Sequence, residues 1–419
     1  MRYVWIYGTD TLWDTTLMMP MRVNALRLHI GNPAVRGWLA SPLRRTVRPD
    51  QVVFDPTEAA DPECVNLFRG LKIKPEPGDY GPLFDLLNHL VEDCADNDHD
   101  RWKVREFVLN WLALPLQKPG TKMASALVFH GPQGTGKNLF FETFLQIYGE
   151  YAATIGQAQL ESRYNDWASR KLFLIADEVV ASNELQHFKN ALKSLITGET
   201  LQIETKFQPL RIERNHCNLV FLSNDIKPLA LERDDRRHCV IYCPPKRQDG
   251  LYQRVNNCLA NGAAAAFYAM LMERDLEGFT AHTAPPMTSA KGELIELGLK
   301  PTERFAKEWM DGDLDLPLQV CSTQQLYNAF RRWCSNTGER FPTNQATFST
   351  TVQRYAGNRL ETRKASPSNG EAGAPIKLWL PKGTGPLNGV RWFDFASEAV
   401  QAFEQPLARF CRSHADLIP

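Results

Sequence analysis

Residues 126–138 read ALVFHGPQGTGKN, and this stretch decides the fold. The run 126–130 is short and largely apolar, as in a buried strand, and residues 139–148 favour a helix. The glycines between them allow successive backbone N–H groups to face an anion, and the helix N-terminus adds partial positive charge. The order strand, glycine-rich loop, helix therefore predicts a phosphate-binding P-loop within an α/β fold.

The residues of this loop have distinct expected roles. Lys137 would reach the β- and γ-phosphates of ATP as a point charge. Asn138 stands where the usual pattern has the Ser or Thr that ligates magnesium, and its amide oxygen can still coordinate the ion, directly or through water. The predicted nucleotide-binding residues are Gly131, Pro132, Gln133, Gly134, Thr135, Gly136, Lys137 and Asn138.

A second apolar run, 171–176, ends in the acid pair Asp177-Glu178. Beside a P-loop, Asp177 would hold Mg²⁺, usually through water, and Glu178 would orient and deprotonate the attacking water. Two carboxylates at a strand end are common by chance as solvated groups. The assignment therefore depends on the P-loop that precedes them.

Two further signals follow along the α/β pattern. Residues 218–224, NLVFLSN, predict a buried strand that ends in Asn224. This is similar to P-loop motors of the AAA+ type, where an amide at this position senses the γ-phosphate; a plain strand-ending Asn is the alternative. Residues 234–237, DDRR, precede another strand-like run. Arg236, with Arg237 as second choice, would act as a finger in the neighbouring subunit's site, an effect worth about 10³–10⁵ in rate. A salt-bridged surface turn is the alternative.

Between the acid pair and the sensor, alternating residues around 201–212 predict a β-hairpin whose turn carries Lys206 and Phe207. Upstream, residues 81–116 carry helical periodicity and predict two helices. Residues 1–80 alternate short apolar runs with turn signals and predict a β-rich or irregular leader.

Towards the C-terminus, the pattern predicts a helix, a turn, a second helix and a β-hairpin, which suggests a winged-helix domain. Residues 324–364 contain seven basic and two acidic residues, a balance suited to duplex DNA. A protein-interaction domain or a plain cap is the alternative. The predicted domains are a leader (1–80), a helical collar (81–120), an ATPase core (121–280), a winged-helix-like domain (281–385) and a helical tail (386–419).

These motifs, in this order, resemble superfamily 3 helicases, above all the helicase half of phage and prophage primase-helicases related to the poxvirus primase-helicase. The likeness is carried by GPQGTGKN (131–138), LFLIADE (172–178), LKSLITGETLQIETKF (192–207), NLVFLSND (218–225) and DDRR (234–237). The resemblance implies a hexameric AAA+ ring that translocates on single-stranded DNA. It also implies that Lys206 grips backbone phosphate from a hairpin in the channel, that Phe207 packs on sugar or base, and that helices 81–116 form the collar.

The composition of the chain restricts which functions and locations are expected. The formal net charge of the 419 residues is zero, so DNA binding must come from local patches. A membrane span and a secretion signal are not expected. The nine cysteines form no CxxC pair, which favours reduced thiols over a metal site.

We therefore expect an ATP- and Mg²⁺-dependent replicative DNA helicase of a phage or mobile genetic element, acting as a homo-hexamer on single-stranded and forked DNA in the bacterial cytoplasm. Because the likeness begins near Met1, the primase is expected on a separate protein or to be lost. The alternatives are an origin-melting initiator or loader that does not unwind, a binding module whose motor has degenerated, as Asn138 suggests, and a P-loop kinase, which lacks a lid or acceptor signal here.

Overall fold

The structure is a computed structural model that describes residues 2–178, 186–206, 210–229, 231–365 and 375–412. The chain divides into two compact units, Met1–Leu294 and Ile295–Pro419. Both the mixed α/β character and a parallel sheet, as expected from the sequence, are present. The predicted domain boundaries stay predictions.

The first unit opens with a small sheet whose strands are ordered β3-β2-β1-β4. The elements are β1 (Tyr3–Ile6), β2 (Thr11–Asp14), β3 (Met19–Arg22), α1 (Val23–Ile30), α2 (Asn32–Ala40), β4 (Thr46–Val47), β5 (Val52–Val53) and β6 (Val65–Asn66). The two helices are additions to the predicted β-rich leader. The turn signal at 31–33 does mark a break, but Gly31 caps α1 and the proline that follows lies at the start of α2.

Both helices predicted for 81–116 are confirmed as α3 (Gly81–Leu90) and α4 (Asp98–Gln117). Asn97 caps α4 by accepting a hydrogen bond from the backbone N–H of Asp100 at 2.9 Å. The second half of α4 is buried, with Trp111 fully enclosed and its indole N–H bonded to the Ser125 carbonyl at 3.1 Å. These helices are therefore part of the core of the first unit.

A parallel sheet of five strands, ordered β13-β7-β12-β9-β8, forms the centre of the first unit. In chain order, the sheet strands and the elements between and after them are β7 (Ala126–His130), α5 (Lys137–Tyr148), β8 (Ala152–Ile155), α6 (Gln157–Glu161), β9 (Phe173–Asp177), α7 (Gln186–Thr197), β10 (Thr200–Ile203), β11 (Arg211–Arg214), β12 (Asn218–Ser223), β13 (His238–Tyr242), α8 (Leu251–Ala260), α9 (Ala263–Met272) and α10 (Ser289–Leu297). Strands β10 and β11 form a separate antiparallel hairpin, as predicted.

The register of the sheet fixes where the functional candidates lie. Strand β12 lies between β7 and β9, with Ser223 opposite His130 and Leu222 opposite Asp177. Because the three strands are parallel, their carboxyl ends meet at one edge. The loops that follow β7, β9 and β12 therefore converge there.

The second unit contains the helix-turn-helix and hairpin elements that the sequence predicted. In chain order the unit contains α11 (Pro301–Asp311), β14 (Cys321–Ser322), α12 (Thr323–Thr337), α13 (Gln345–Ala356), β15 (Leu360–Ala365), β16 (Ile376–Pro381) and α14 (Trp392–Cys411). The predicted elements are α12, α13, β15 and β16, and α14 lies in the predicted helical tail, whereas α11 and β14 are additions. The strands form a sheet ordered β14-β16-β15. Buried aromatic side chains hold the unit together: Phe305, Trp309, Phe330, Phe348, Trp379 and Phe403.

Across the residues that the structure describes, every helix is too short or too polar to cross a membrane.

Candidate nucleotide-binding site

The loop between β7 and α5 has a backbone that only glycine fits at two positions. Gly131 has a φ of +135°, and a Cβ there would lie 2.5 Å from the carbonyl oxygen of Cys243. Gly136 has a φ of +95°, and a Cβ there would lie 2.8 Å from Leu86 and 2.9 Å from Tyr252. Both contacts are too short for any side chain. The loop is thus packed tightly between the end of β13 and the helices α3 and α8.

Lys137, at the start of α5, folds back over this loop. Its side chain is buried, and Nζ donates hydrogen bonds to the carbonyl oxygens of Gly131 and Pro132, both at 2.9 Å, and to Oγ1 of Thr135 at 3.3 Å. Burial lowers the pKa of Lys137, and Asp177 acts in the opposite direction. The ammonium is satisfied by neutral acceptors that the oxygens of a bound phosphate can replace.

The two residues predicted as magnesium ligands lie side by side. Asp177 ends β9, and its Oδ2 accepts a hydrogen bond from Nδ2 of Asn138 at 2.7 Å. A carboxylate and an amide suit Mg²⁺, which takes oxygen ligands and shares its coordination with water and substrate phosphates. In the observed contact the amide nitrogen faces Asp177, so Asn138 must turn its amide to present oxygen to an ion.

Glu178 has an unusual backbone for its residue type. Its φ is +53°, a left-handed value that costs a non-glycine residue about 1 kcal/mol or more. A hydrogen bond from the Glu178 N–H to the Leu222 carbonyl at 2.9 Å holds it in place. Asn224, just beyond β12, donates from Nδ2 to Oε1 of Glu178 at 3.3 Å. Glu178 thus lines the same cavity as the glycine-rich loop.

These groups share one cavity of about 400 Å³. Its lining residues are Gln133, Gly134, Thr135, Gly136, Lys137, Asn138, Leu139, Asp177, Glu178, Asn224, Lys246 and Tyr252. Lys246 and Tyr252 were not predicted as site residues. They belong to the segment that leaves β13 at the same edge of the sheet, so parallel pairing with β7 was the signal that would have found them.

The arginine pair lies at the opposite edge of the sheet. His238 pairs with Ala126, so Arg236 and Arg237 precede the amino end of β13, about 16 Å along the strand from the glycine-rich loop at about 3.3 Å per residue. Arg236 is exposed and Arg237 partly buried. Neither lines the cavity of its own chain.

Asp235 anchors that turn from within the protein. Its Oδ1 accepts from the backbone N–H groups of Arg237 at 3.2 Å and His238 at 3.0 Å. Its Oδ2 lies 2.9 Å from His238 Nδ1, and Oδ1 lies 3.2 Å from Lys291 Nζ. Burial alone would raise the pKa of Asp235, but the hydrogen bond from His238 and the charge of Lys291 hold it well below its usual value.

The hairpin β10–β11 is fastened to the segment that precedes β9. Asn165 donates from Nδ2 to the Gln202 carbonyl and accepts at Oδ1 from the Glu204 N–H, both at 2.8 Å. Arg211 bonds to Ser169 Oγ at 3.0 Å. Lys206 is exposed beyond this fastened base, whereas Phe207 lies outside the described residues.

In the second unit, part of the predicted basic surface is already engaged. Arg354 pairs with Glu303 at 3.4 Å and Arg359 with Asp311 at 2.9 Å. The Arg363 guanidinium lies 3.6 Å from the centre of the Trp392 ring. The local excess of positive charge counted from the sequence is therefore partly neutralised by residues outside the counted stretch.

Part of the chain is similar in sequence to known proteins. Residues 129–237 match a family of unknown function (DUF5906). The chain is 33% identical over 185 residues to the DNA primase-polymerase of Nitratiruptor phage NrS-1, a match that covers 43% of this chain and 25% of that protein. It is 27% identical over 168 residues to replication protein E1 of human papillomavirus 57, covering 40% of this chain and 23% of that protein. The matches thus span about a quarter of each relative's length.

Solved structures extend the likeness over most of the chain. The A form apo structure of the NrS-1 C-terminal region (305–718) has a TM-score of 0.64 at 20% identity and covers 90% of this chain and 96% of that one. Another apo structure of the same region has a TM-score of 0.61, with 90% and 95% covered. At such identity the likeness establishes the fold alone. The chain is therefore similar in sequence to viral replication proteins and has the fold of the C-terminal region of a phage primase-polymerase.

Proposed function

We propose that the chain is an AAA+ ATPase of the superfamily 3 type that unwinds DNA during replication of a phage or mobile genetic element. The observation that carries this proposal is the single cavity in which the P-loop, Asp177, Glu178 and Asn224 meet. A strand-ending amide between the P-loop strand and the acid-bearing strand is the arrangement that the resemblance to AAA+ motors requires. The likeness to two viral replication proteins supports the biological setting.

The residues of the cavity suit ATP hydrolysis in complementary ways. Lys137 exchanges the carbonyls of its own loop for phosphate oxygens and neutralises their charge. Magnesium, held by Asp177 and Asn138, would supply charge stabilisation between the β- and γ-phosphates. Glu178 accepts the proton of the attacking water, and Asn224 fixes its carboxylate through the 3.3 Å contact.

We further propose a homo-hexameric ring in which Arg236, or Arg237, completes the neighbour's site. Their place at the sheet edge opposite the P-loop supports an action between protomers rather than within one. Helices α3 and α4 would serve as the collar. The firm anchoring of the turn by Asp235 suits a group that must be positioned accurately across an interface.

In this proposal Lys206 grips single-stranded DNA from the hairpin. Two observations support this role: Lys206 is exposed, and Asn165 holds the base of the hairpin. A hairpin that moves DNA needs a base that does not bend under load and a turn that DNA can reach. Phe207 beside it would add stacking that does not depend on sequence. Forked DNA is the expected substrate, and a separate primase is the expected partner.

Strand displacement on a forked duplex, measured together with ATP hydrolysis, tests the proposal. Lys137→Ala and Glu178→Gln should abolish both activities. Lys206→Ala should retain basal hydrolysis and lose displacement, whereas the control Lys74→Ala, at another exposed lysine, should retain both. Normal displacement by Lys206→Ala would remove the hairpin from the mechanism. Hydrolysis without displacement by the wild-type protein would instead favour an origin-melting initiator or loader.

A further inference from the structure

The cavity has a second wall that the P-loop motifs do not account for. Lys246 and Tyr252 line it beside the loop, and Lys246 Nζ lies 5.7 Å from the centre of the Tyr252 ring. We propose that Tyr252 stacks on the base of the bound nucleotide and that Lys246 leaves the ring to bind its phosphates. This inference rests on the proposed nucleotide site.

The Tyr252 ring is held in a fixed position beside the P-loop. Its hydroxyl accepts a hydrogen bond from the Arg247 N–H at 3.0 Å and lies 3.4 Å from His89 Nε2. The ring edge packs on Gly136, where a Cβ would lie 2.9 Å from Tyr252 Cε1. An aromatic side chain fixed at both its tip and its edge offers a preorganised face, so little side-chain freedom is lost when a base stacks on it.

Lys246 is placed to serve phosphate as well as the ring. Its side chain is exposed, and its Cδ lies 3.6 Å from where a Cβ on Gly134 would be, so the stem runs over the P-loop backbone. The cation–π contact that it makes now is weaker than a charge-assisted hydrogen bond to phosphate. A phosphate in the loop will therefore draw the ammonium away from the ring.

The spacing between Lys246 and Tyr252 is too small for a base to stack on the ring while the ammonium remains over it. A base between the ring and the ammonium needs a contact of about 3.5 Å on each side, or about 7 Å in all. The observed separation is 5.7 Å. The base can reach the ring only after Lys246 has moved, so phosphate binding by Lys246 and base stacking on Tyr252 should occur together.

Equilibrium binding of two ligands separates the roles of these side chains. The ligands are ATP and inorganic tripolyphosphate, each with Mg²⁺, titrated calorimetrically into the full chain. Tyr252→Ala should weaken ATP binding about 5- to 150-fold, the range expected for one stacked base, and leave tripolyphosphate binding within about twofold. Lys246→Ala should weaken both ligands by a similar factor, about tenfold.

Two control variants test whether a loss of binding comes from a general disturbance of the fold and not from the loss of the Tyr252 ring. Tyr252→Phe keeps the ring and should retain ATP affinity within about threefold. Tyr164→Ala, at a partly exposed tyrosine that does not line this cavity, should change neither ligand. Equal losses of ATP and tripolyphosphate in Tyr252→Ala, or no loss in either, would overturn the stacking role. Wild-type protein that binds neither ligand would overturn the proposed function itself.

Discussion

Replacing Asp235 with Ala removes the anchor of the arginine turn and leaves a cation buried without its partner. The side chains of Asp235 and Lys291 are 7% and 2% exposed, and their charged atoms are 3.2 Å apart. At an effective dielectric of about 20, two unit charges at that distance attract by about 5 kcal/mol. The hydrogen bonds to His238 and to two backbone N–H groups are lost as well.

Relief from desolvation of the carboxylate offsets part of this loss. Truncating one partner of a buried ion pair typically costs about 3–5 kcal/mol, and we expect Asp235→Ala to fall in that range. With a urea dependence of about 1–3 kcal/mol/M, the unfolding midpoint should drop by at least about 1 M. Tryptophan fluorescence in a urea titration measures this directly.

The pH dependence gives an independent check. The folded-state pKa of Asp235 lies below its unfolded value, so its contribution is complete above about pH 5 and is lost as the pH falls towards the folded pKa. The difference in urea unfolding midpoint between wild type and Asp235→Ala should therefore become smaller at acidic pH. Asp50→Ala, which breaks an exposed pair with Arg48, is the control and should leave the midpoint unchanged. If Asp235→Ala also left the unfolding midpoint unchanged, Asp235 would not anchor the turn.

Three further substitutions test other parts of the first unit. Gly131→Ala should abolish ATP binding in a calorimetric titration, because the added Cβ would lie 2.5 Å from the backbone of Cys243. Gly262→Ala is the control and should bind ATP normally, because Gly262 also has a positive φ, of +89°, but lies in open space. Asn165→Ala should speed amide hydrogen exchange in the β10–β11 hairpin without changing exchange in β9, and unchanged exchange in the hairpin would show that Asn165 does not hold it. Lys122→Met should stabilise the protein at pH 7 by up to about 3 kcal/mol, since burial lowers the pKa of Lys122 to about 8. The stability advantage of Lys122→Met over wild type should therefore shrink between about pH 8 and pH 10.5, measured by urea unfolding of both proteins, and an advantage that stays constant with pH would contradict this.

The glycine-rich loop between β7 and α5 was predictable because its signal is local. Strand, glycine-rich loop and helix follow one another in 126–148, and the φ values that Gly131 and Gly136 require belong to the loop itself. The acid pair and Asn224 were predictable for a related reason. Each ends an apolar strand, and parallel strands bring their carboxyl ends together.

Features that depend on tertiary packing could not be predicted from the sequence. Lys246 and Tyr252 join the cavity only because β13 pairs with β7 and α8 packs against α3, and neither residue lies in a recognisable motif. In the leader, turn signals at 31–33 concealed two short helices, whose buried residues Leu26 and Val35 pack with Leu12 of β2. The hairpin was predicted from alternation, but its fastening by Asn165 depends on a segment about 40 residues upstream.

The most direct measurement of the central claim is cryo-electron microscopy of the Glu178→Gln variant with ATP, Mg²⁺ and forked DNA. The account predicts a ring in which each nucleotide lies against Lys137 and Asp177 of one protomer and an arginine of the 236–237 pair from the next. A nucleotide bound elsewhere, or a loop at 131–138 that contacts no phosphate, would contradict it.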